Sequence, residues 1–379
     1  MHLAQGQGAK MTDGEPIVSR TSSKGSTVLE SIRRRVSAAS TTSGGDSETD
    51  EQYSDTEPRV DLPTNFGLRG ISNATSGCFF NQAFQTLIFF DWDDTLFPTT
   101  ELLDRQGIVA QDKPLHIPEQ LAEDLKAWRR ALCGYLEMAT SLSDHCVIVT
   151  NSRRPWVTEC IDNFVPEAAA YIGDGPGMVK VVYADEVPEP CTHKARQGFE
   201  GLRPVRYGAV DRSEELRAKC MRAKRAAMHV EAERFYSQYP GQTWKNTLSI
   251  GDMPYEHDAL QDVTFRRRGP SRENCRTKTI MVPSEPTIGE ITLRLQFSKR
   301  MLPAYVHYDG SIDVDLAMAP DPLRTLAEAL EFPELMSCGF PRFAWGIEEA
   351  PSPDIAENAL HSLSCTVQEF VSDRALRYS

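Results

Sequence analysis

The sequence predicts an α/β protein built on a parallel, doubly wound sheet. Three observations carry that expectation. Short apolar runs alternate with stretches of helical periodicity along much of the chain. Several runs are apolar on successive residues, as strands covered on both faces are. Three of them end in carboxylates, a hydroxyl or a Gly-Asp pair, at the strand end where open α/β sheets bind ligands.

The first of these strands is the most informative. Leu87-Ile88-Phe89-Phe90 runs into Asp91-Trp92-Asp93-Asp94-Thr95. Carboxylates packed this densely repel one another unless a cation neutralises them, which points to a hard divalent metal with oxygen ligands. Phe97 to Ile117 reads as a loop, with Pro98, Gly107 and Pro114. A helix follows from Pro118, with Leu121, Leu125, Trp128, Leu132, Tyr135 and Leu136 at helical spacing. His145 to Ser152 is the second strand, ending in Thr150-Asn151-Ser152. A helix spans about 154–164, and Met178 to Asp185 is the third strand. From about Ser213 the chain is helical to Tyr236, until Tyr239-Pro240-Gly241 breaks it. Asn246 to Asp252 is the fourth strand, with further acids at Glu256 and Asp258. Lys278 to Val282 is the fifth, followed by a helix from about Thr287 to Met301. Asp321 to Phe332 has some helical character, and the last thirty residues read as loosely ordered.

Composition bounds the function classes. The net charge of -13 disfavours general nucleic-acid binding and adhesion to anionic membranes. No apolar run reaches spanning length, and no signal-peptide core precedes the tail, so a cytoplasmic or nuclear location is expected. The nine cysteines form no Cys-x-x-Cys pair, which argues for reduced thiols and against a zinc site. The chain divides into a Ser/Thr-rich tail over 1–76, a folded domain over 77–305 and an extension over 306–379 that is partly helical or loosely ordered. The tail is too poor in large apolar residues to bury a core and is expected to be disordered. Ser37 follows an arginine run, and Ser47 and Ser54 each precede an acid by three residues, as sites for regulatory kinases do.

The strand ending in Asp91-x-Asp93-x-Thr95, the strand ending in Thr150 and the Gly251-Asp252 pair resemble the motifs of the haloacid dehalogenase-like (HAD) phosphohydrolases. The resemblance covers roughly residues 85–300 and implies the strand order 5-4-1-2-3. It implies a Mg²⁺-dependent phosphomonoester hydrolase with an aspartyl-phosphate intermediate. Asp91 is then the nucleophile and Asp93 the acid that protonates the leaving oxygen. Thr150 donates to a phosphoryl oxygen, and Lys224 offsets phosphoryl charge, with Lys219 as its alternative. Mg²⁺ is held by Asp91, the Asp93 carbonyl and Asp252, with Glu256 or Asp258 as a further acid. Asn151, Arg153 and Arg154 are candidate substrate contacts. The arginines either bind a second anionic group or pair with nearby acids. Little chain is left over for a cap domain, so a capless or minimally capped enzyme is expected, open to bulky substrates such as phosphoproteins. Two alternatives carry the same motifs: a phosphotransferase using the same intermediate, and a non-catalytic scaffold that binds a phospho-ligand.

Overall fold

The computed structural model of the chain describes residues 79–108, 117–188, 212–267 and 274–378. Ser37, Ser47 and Ser54 lie outside them. The strands are β1 (Thr86–Phe90), β2 (His145–Thr150), β3 (Lys180–Tyr183), β4 (Asn246–Gly251), β5 (Arg276–Met281) and β6 (Ile312–Asp315). The helices are α1 (Glu119–Leu142), α2 (Trp156–Phe164), α3 (Arg212–Phe235), α4 (Pro254–Arg266), α5 (Ile288–His307), α6 (Pro322–Ala329) and α7 (Pro353–Tyr378).

The strands form one all-parallel sheet in the order β3-β2-β1-β4-β5-β6. This differs from the expected five-strand order 5-4-1-2-3 by a sixth strand beyond β5. β1 sits in the interior because its five residues are all buried, so both faces must be covered. Alternate side chains supply the two faces. Leu87 and Phe89 pack with Ala227, Met228 and Ala232 of α3 and Ala259, Leu260 and Val263 of α4. Ile88 and Phe90 enter the larger core on the other face, with α1, α2 and α5. Phe90 meets Tyr135 of α1 edge-on at 5.4 Å, and the Trp128 indole N–H donates to Leu96 O at 3.0 Å.

Beyond residue 306 the chain holds α6 within the Asp321–Phe332 segment read as helical, and α7 where the last thirty residues read as loosely ordered. β6 pairs with β5 through Lys278–Ile312 to Met281–Asp315, so the chain beyond residue 306 continues the sheet. α7 packs on α5 and buries Leu360, Leu363, Val367 and Phe370. α4, which the expectation lacked, begins two residues after Asp252, with Pro254 in its first turn and Glu256 at its third position. The stretch after β1, expected as loop, contains a short π-helical turn over Thr100–Arg105. Among the described residues, no folded unit of its own is inserted between β1 and β2 or between β2 and β3. No helix among them is long and apolar enough to cross a membrane.

Candidate active site

β2, β1 and β4 lie side by side, and the site is made by the residues at their carboxyl ends. Asp91 extends β1 by one residue, its N–H donating to Ile250 O at 3.0 Å. It shares the parity of Leu87 and Phe89, so its side chain leaves on the face that α3 and α4 cover. Lys224 arrives from that face. Its Nζ donates to Asp91 Oδ1 at 2.5 Å and to Glu256 Oε1. All three side chains are buried, Lys224 with 1% of its surface exposed.

Two buried carboxylates thus share one ammonium, and a negative charge is left over. Burial works against the charge on Lys224, yet Asp91 and Glu256 outweigh it and hold its pKa above the ordinary lysine value. Burial also raises the Asp91 acid, against the pull of Lys224 and with the Asp93 charge adding to it. Glu256 is pushed up to about 7 by burial, opposed by Lys224 and reinforced by Asp91. Its second oxygen accepts the Met253 N–H at 3.0 Å, so one side chain caps α4 and neutralises the lysine.

Asp252 follows β4 and is 7% exposed. Burial, then the charges of Asp91, Glu256 and Asp94, drive its acid well above the ordinary aspartate value. The Thr95 hydroxyl reaches its Oδ1 only at 3.5 Å. Across the crevice, Asp93 is half-buried and heavily bonded. Thr99 Oγ1 and the Trp156 indole N–H donate to Oδ1 at 2.6 and 2.9 Å. Ser152 Oγ donates to Oδ2 at 2.6 Å, with Thr150 Oγ1 at 3.4 Å. Thr150 is fully buried, and its hydroxyl accepts the Ser152 N–H at 3.0 Å. Asp94 holds a left-handed conformation at φ 56°, which aspartate tolerates better than most residues. Its carboxylate accepts the Thr100 N–H at 2.8 Å and the Thr100 hydroxyl, tying the turn to the π-helical segment.

The structure therefore gathers Asp91, Asp93, Thr150, Lys224, Asp252 and Glu256 at one end of the sheet. Lys219, the alternative lysine, is exposed. Asp258, the alternative acid, is exposed and pairs with His257. Asn151 is half-buried, and its side-chain N–H₂ is buried without an acceptor, a free donor at the end of β2. Arg153 lies 3.8 Å from Asp185, and Arg154 lies 3.0 Å from Glu186 with its guanidinium 4.5 Å above the Tyr183 ring. Both arginines thus pair with acids that follow β3, and a substrate anion has to compete with those acids.

Thr99, Ser152 and Trp156 escape sequence reading, as does Arg294. Arg294 of α5 is buried, donating to Ala344 O at 3.0 Å and Pro283 O at 2.7 Å. Burial lowers its pKa to about 10, opposed by the charges of Glu290, Asp252 and Asp94.

Among the described residues, no three His, Cys, Asp or Glu side chains converge as a metal cluster. The donors at hand are two carboxylates, Asp91 and Asp252, and the main-chain carbonyl of Asp93. They are oxygen donors only, and Asp252 is a buried carboxylate among like charges with one long hydroxyl contact. That set fits a hard divalent cation such as Mg²⁺. Glu256, already engaged by Lys224 and by its helix cap, belongs to the lysine. No protein-family model matches this chain, and no curated protein or solved structure does either.

Proposed function

We propose that this protein is a Mg²⁺-dependent phosphomonoester hydrolase of HAD type that works through an aspartyl-phosphate. One observation carries the reading. A buried lysine holds Asp91 at the end of an interior strand, with Asp93 and Thr150 alongside and Asp252 in like-charge surroundings. Catalysis of phosphoryl transfer is mostly positioning and charge stabilisation, and this group offers both.

Asp91 attacks phosphorus. The bond from its Oδ to phosphorus forms as the bond from phosphorus to the leaving oxygen breaks. Asp93 gives that oxygen its proton, and the alcohol departs. Water then attacks the aspartyl-phosphate and loses a proton to Asp93, and the Asp91 carboxylate is released with phosphate. Lys224 fixes the direction of Asp91 and offsets negative charge on the phosphoryl oxygens, while Thr150 and the unpaired Asn151 amide donate to them. Mg²⁺, when bound, supplies the charge that lets a carboxylate approach a phosphate dianion. The absence of an inserted unit among the described residues supports a bulky substrate, a phosphoprotein among them.

Turnover of an aryl phosphate in Mg²⁺ tests the reading. Wild type is expected to be active and to stop in excess chelator, and Asp91→Asn is expected to be inactive with an unchanged melting temperature. Wild-type rates in Asp91→Asn, or full activity in chelator, overturn it.

A further inference from the structure

A cavity of about 380 Å³ opens in the helix layer, between α1, α5 and α7. Small-molecule sites span about 300–1,000 Å³. Its walls are apolar: Met138 of α1, Pro303 of α5, and Val367 and Val371 one turn apart on α7. Pro303 lies inside α5 and has no N–H, so the Lys299 carbonyl loses its usual helical donor there. Both charged side chains in the lining are cations, Lys299 and Arg300. The Arg300 guanidinium is fixed in place. Its Nε donates to Leu360 O at 3.0 Å and Ser364 Oγ at 2.9 Å, and its Nη1 to Gln296 O at 2.8 Å. All three acceptors are neutral, and burial lowers the Arg300 pKa with no acid opposing it. Lys299 is half-buried and pairs with no acid among the described residues. A methyl group on Gly134 of α1 would fall 2.9 Å from Lys299 Nζ, so the ammonium lies where that glycine leaves room. The chain has 54 acids against 41 lysines and arginines, yet none offsets these two charges.

From the apolar walls and the two uncompensated cations we infer that this cavity binds a small amphipathic anion, a carboxylate on an unbranched apolar chain. The carboxylate sits between Lys299 and Arg300, and the chain lies along Met138, Val367 and Val371. Each part answers a cost that the empty cavity carries. A half-buried cation without a partner is unfavourable, and a carboxylate supplies both the charge and two acceptor oxygens. The apolar side chains gain by exchanging water for hydrocarbon. A phosphate dianion suits the cavity less, because two cations leave its third oxygen without a charged donor. The inference stands apart from the hydrolase reading, since none of its residues belongs to the group at the strand ends.

The test is calorimetric titration of the full chain with decanoate, and with decanol and decyltrimethylammonium as neutral and cationic partners of the same chain length. Decanoate is expected to bind at a single site, decanol about tenfold more weakly, and the cation not at all. Lys299→Gln removes the charge at similar length and is expected to weaken decanoate about tenfold, the lower end for a charge-assisted hydrogen bond, and to leave decanol unchanged. Lys299 anchors nothing, so this variant is expected to keep the wild-type melting temperature. Val371→Trp fills the cavity and is expected to abolish binding of both, and if it does not fold, Lys299→Gln carries the test alone. No binding of decanoate to wild type overturns the inference. Equal affinity for decanoate and decanol makes the cavity a bare apolar one and overturns it too, as does a decanoate affinity that Lys299→Gln leaves unchanged. Heats of dilution that depend on protein concentration and vanish in Val371→Trp would place a second copy of the chain in the groove instead, and also overturn it.

Discussion

Gly251 separates β4 from Asp252, and a methyl group there collides with the acid that holds Lys224. A Cβ at this position falls 2.6 Å from Glu256 Cγ, 2.9 Å from its Cβ and 3.1 Å from its Cδ. The Glu256 Cβ is bonded to its own backbone and cannot swing clear, so the side chain has to abandon its place. It then gives up Lys224 Nζ and the Met253 N–H bond at 3.0 Å. A lost helix cap costs about 1 kcal/mol, and a lost charge-assisted hydrogen bond about 1.5–3 kcal/mol. Gly251→Ala is therefore expected to lower the unfolding free energy by about 2–4 kcal/mol. Glu256→Ala forfeits the same bonds and removes the Cγ and Cδ contacts, leaving only the approach to its Cβ at 2.9 Å. In that background Gly251→Ala should cost clearly less than in wild type, because the bonds are already gone and alanine is otherwise better than glycine in a strand by about 0.5–1 kcal/mol. Urea unfolding of the four proteins, in chelator, closes the cycle. If the two substitutions add to within about 0.5 kcal/mol, the close approach of Gly251 to Glu256 is not what this glycine is for.

Two further predictions concern charge. Glu231 of α3 accepts from His145 Nε2 at 3.0 Å and Lys180 Nζ at 2.9 Å, bridging β2, β3 and α3. Burial alone would raise its pKa, but these bonds and the charges of Lys180 and Arg234 lower it from the ordinary 4.5 to about 2. The folded carboxyl is the stronger acid, so its contribution is complete above pH 4.5 and is lost as the pH falls toward 2. Discounted for solvent around Lys180 and Arg234, it amounts to about 1–2 kcal/mol. The urea midpoint of wild type should fall over that window more steeply than that of Glu231→Gln, and parallel curves would exclude the linkage. For the cation, Mg²⁺ should raise the wild-type melting temperature, by the equivalent of about 2.7 kcal/mol at a hundredfold excess over Kd. Asp252→Asn should be no less stable in chelator and should lose that rise. A rise that persists in Asp252→Asn would place the cation elsewhere.

The strands that build the site were legible because the first two are apolar runs that stop at a polar residue, and the third alternates polar and apolar residues up to a Gly-Asp pair. Leu87 to Phe90 stops at Asp91, His145 to Val149 at Thr150, and Asn246 to Ile250 at Gly251-Asp252. Lys224 was legible only as a lysine at a workable distance, since nothing in its neighbours signals which side chain turns inward. β6 was missed because it is short and lies at the edge of the sheet. Ile312 and Val314 are buried while Asp313 is exposed, so only two of its residues look like a strand. α7 did carry a signal, Leu360, Leu363, Val367 and Phe370 at spacings of three and four, diluted by the serines and acids between them. Of the partners of Asp93, Thr150 was legible, and Thr99, Ser152 and Trp156 left no mark. An indole N–H, a threonine hydroxyl and a serine hydroxyl are chosen by direction, and direction arises only once α2 docks beside β1.

Alternation along β1 divides the work of the two faces. The even-numbered side chains, Ile88, Phe90 and Trp92, enter the larger core with α1, α2 and α5, and none exposes more than 1% of its surface. The odd-numbered side chains, Leu87 and Phe89, pack on α3 and α4, and the same parity carries on to Asp91. Holding Asp91, Lys224, Glu256 and Asp252 out of water is unfavourable, and their mutual pairing leaves a net negative charge. The apolar contacts of Ala227 and Met228, one turn beyond Lys224 on α3, and of Ala259 and Leu260, one turn beyond Glu256 on α4, oppose that cost on the same face. The lysine and the glutamate are thus anchored by the alanines and large apolar residues that follow them at helical spacing. Truncating Met228 should loosen Lys224 from Asp91, whereas truncating Phe90 should lower stability and leave the acids in register. The chemistry sits on the face where helices bring charge to the strand ends, and the opposite face, apolar from Ile88 to Trp92, supplies the packing that keeps those ends in place.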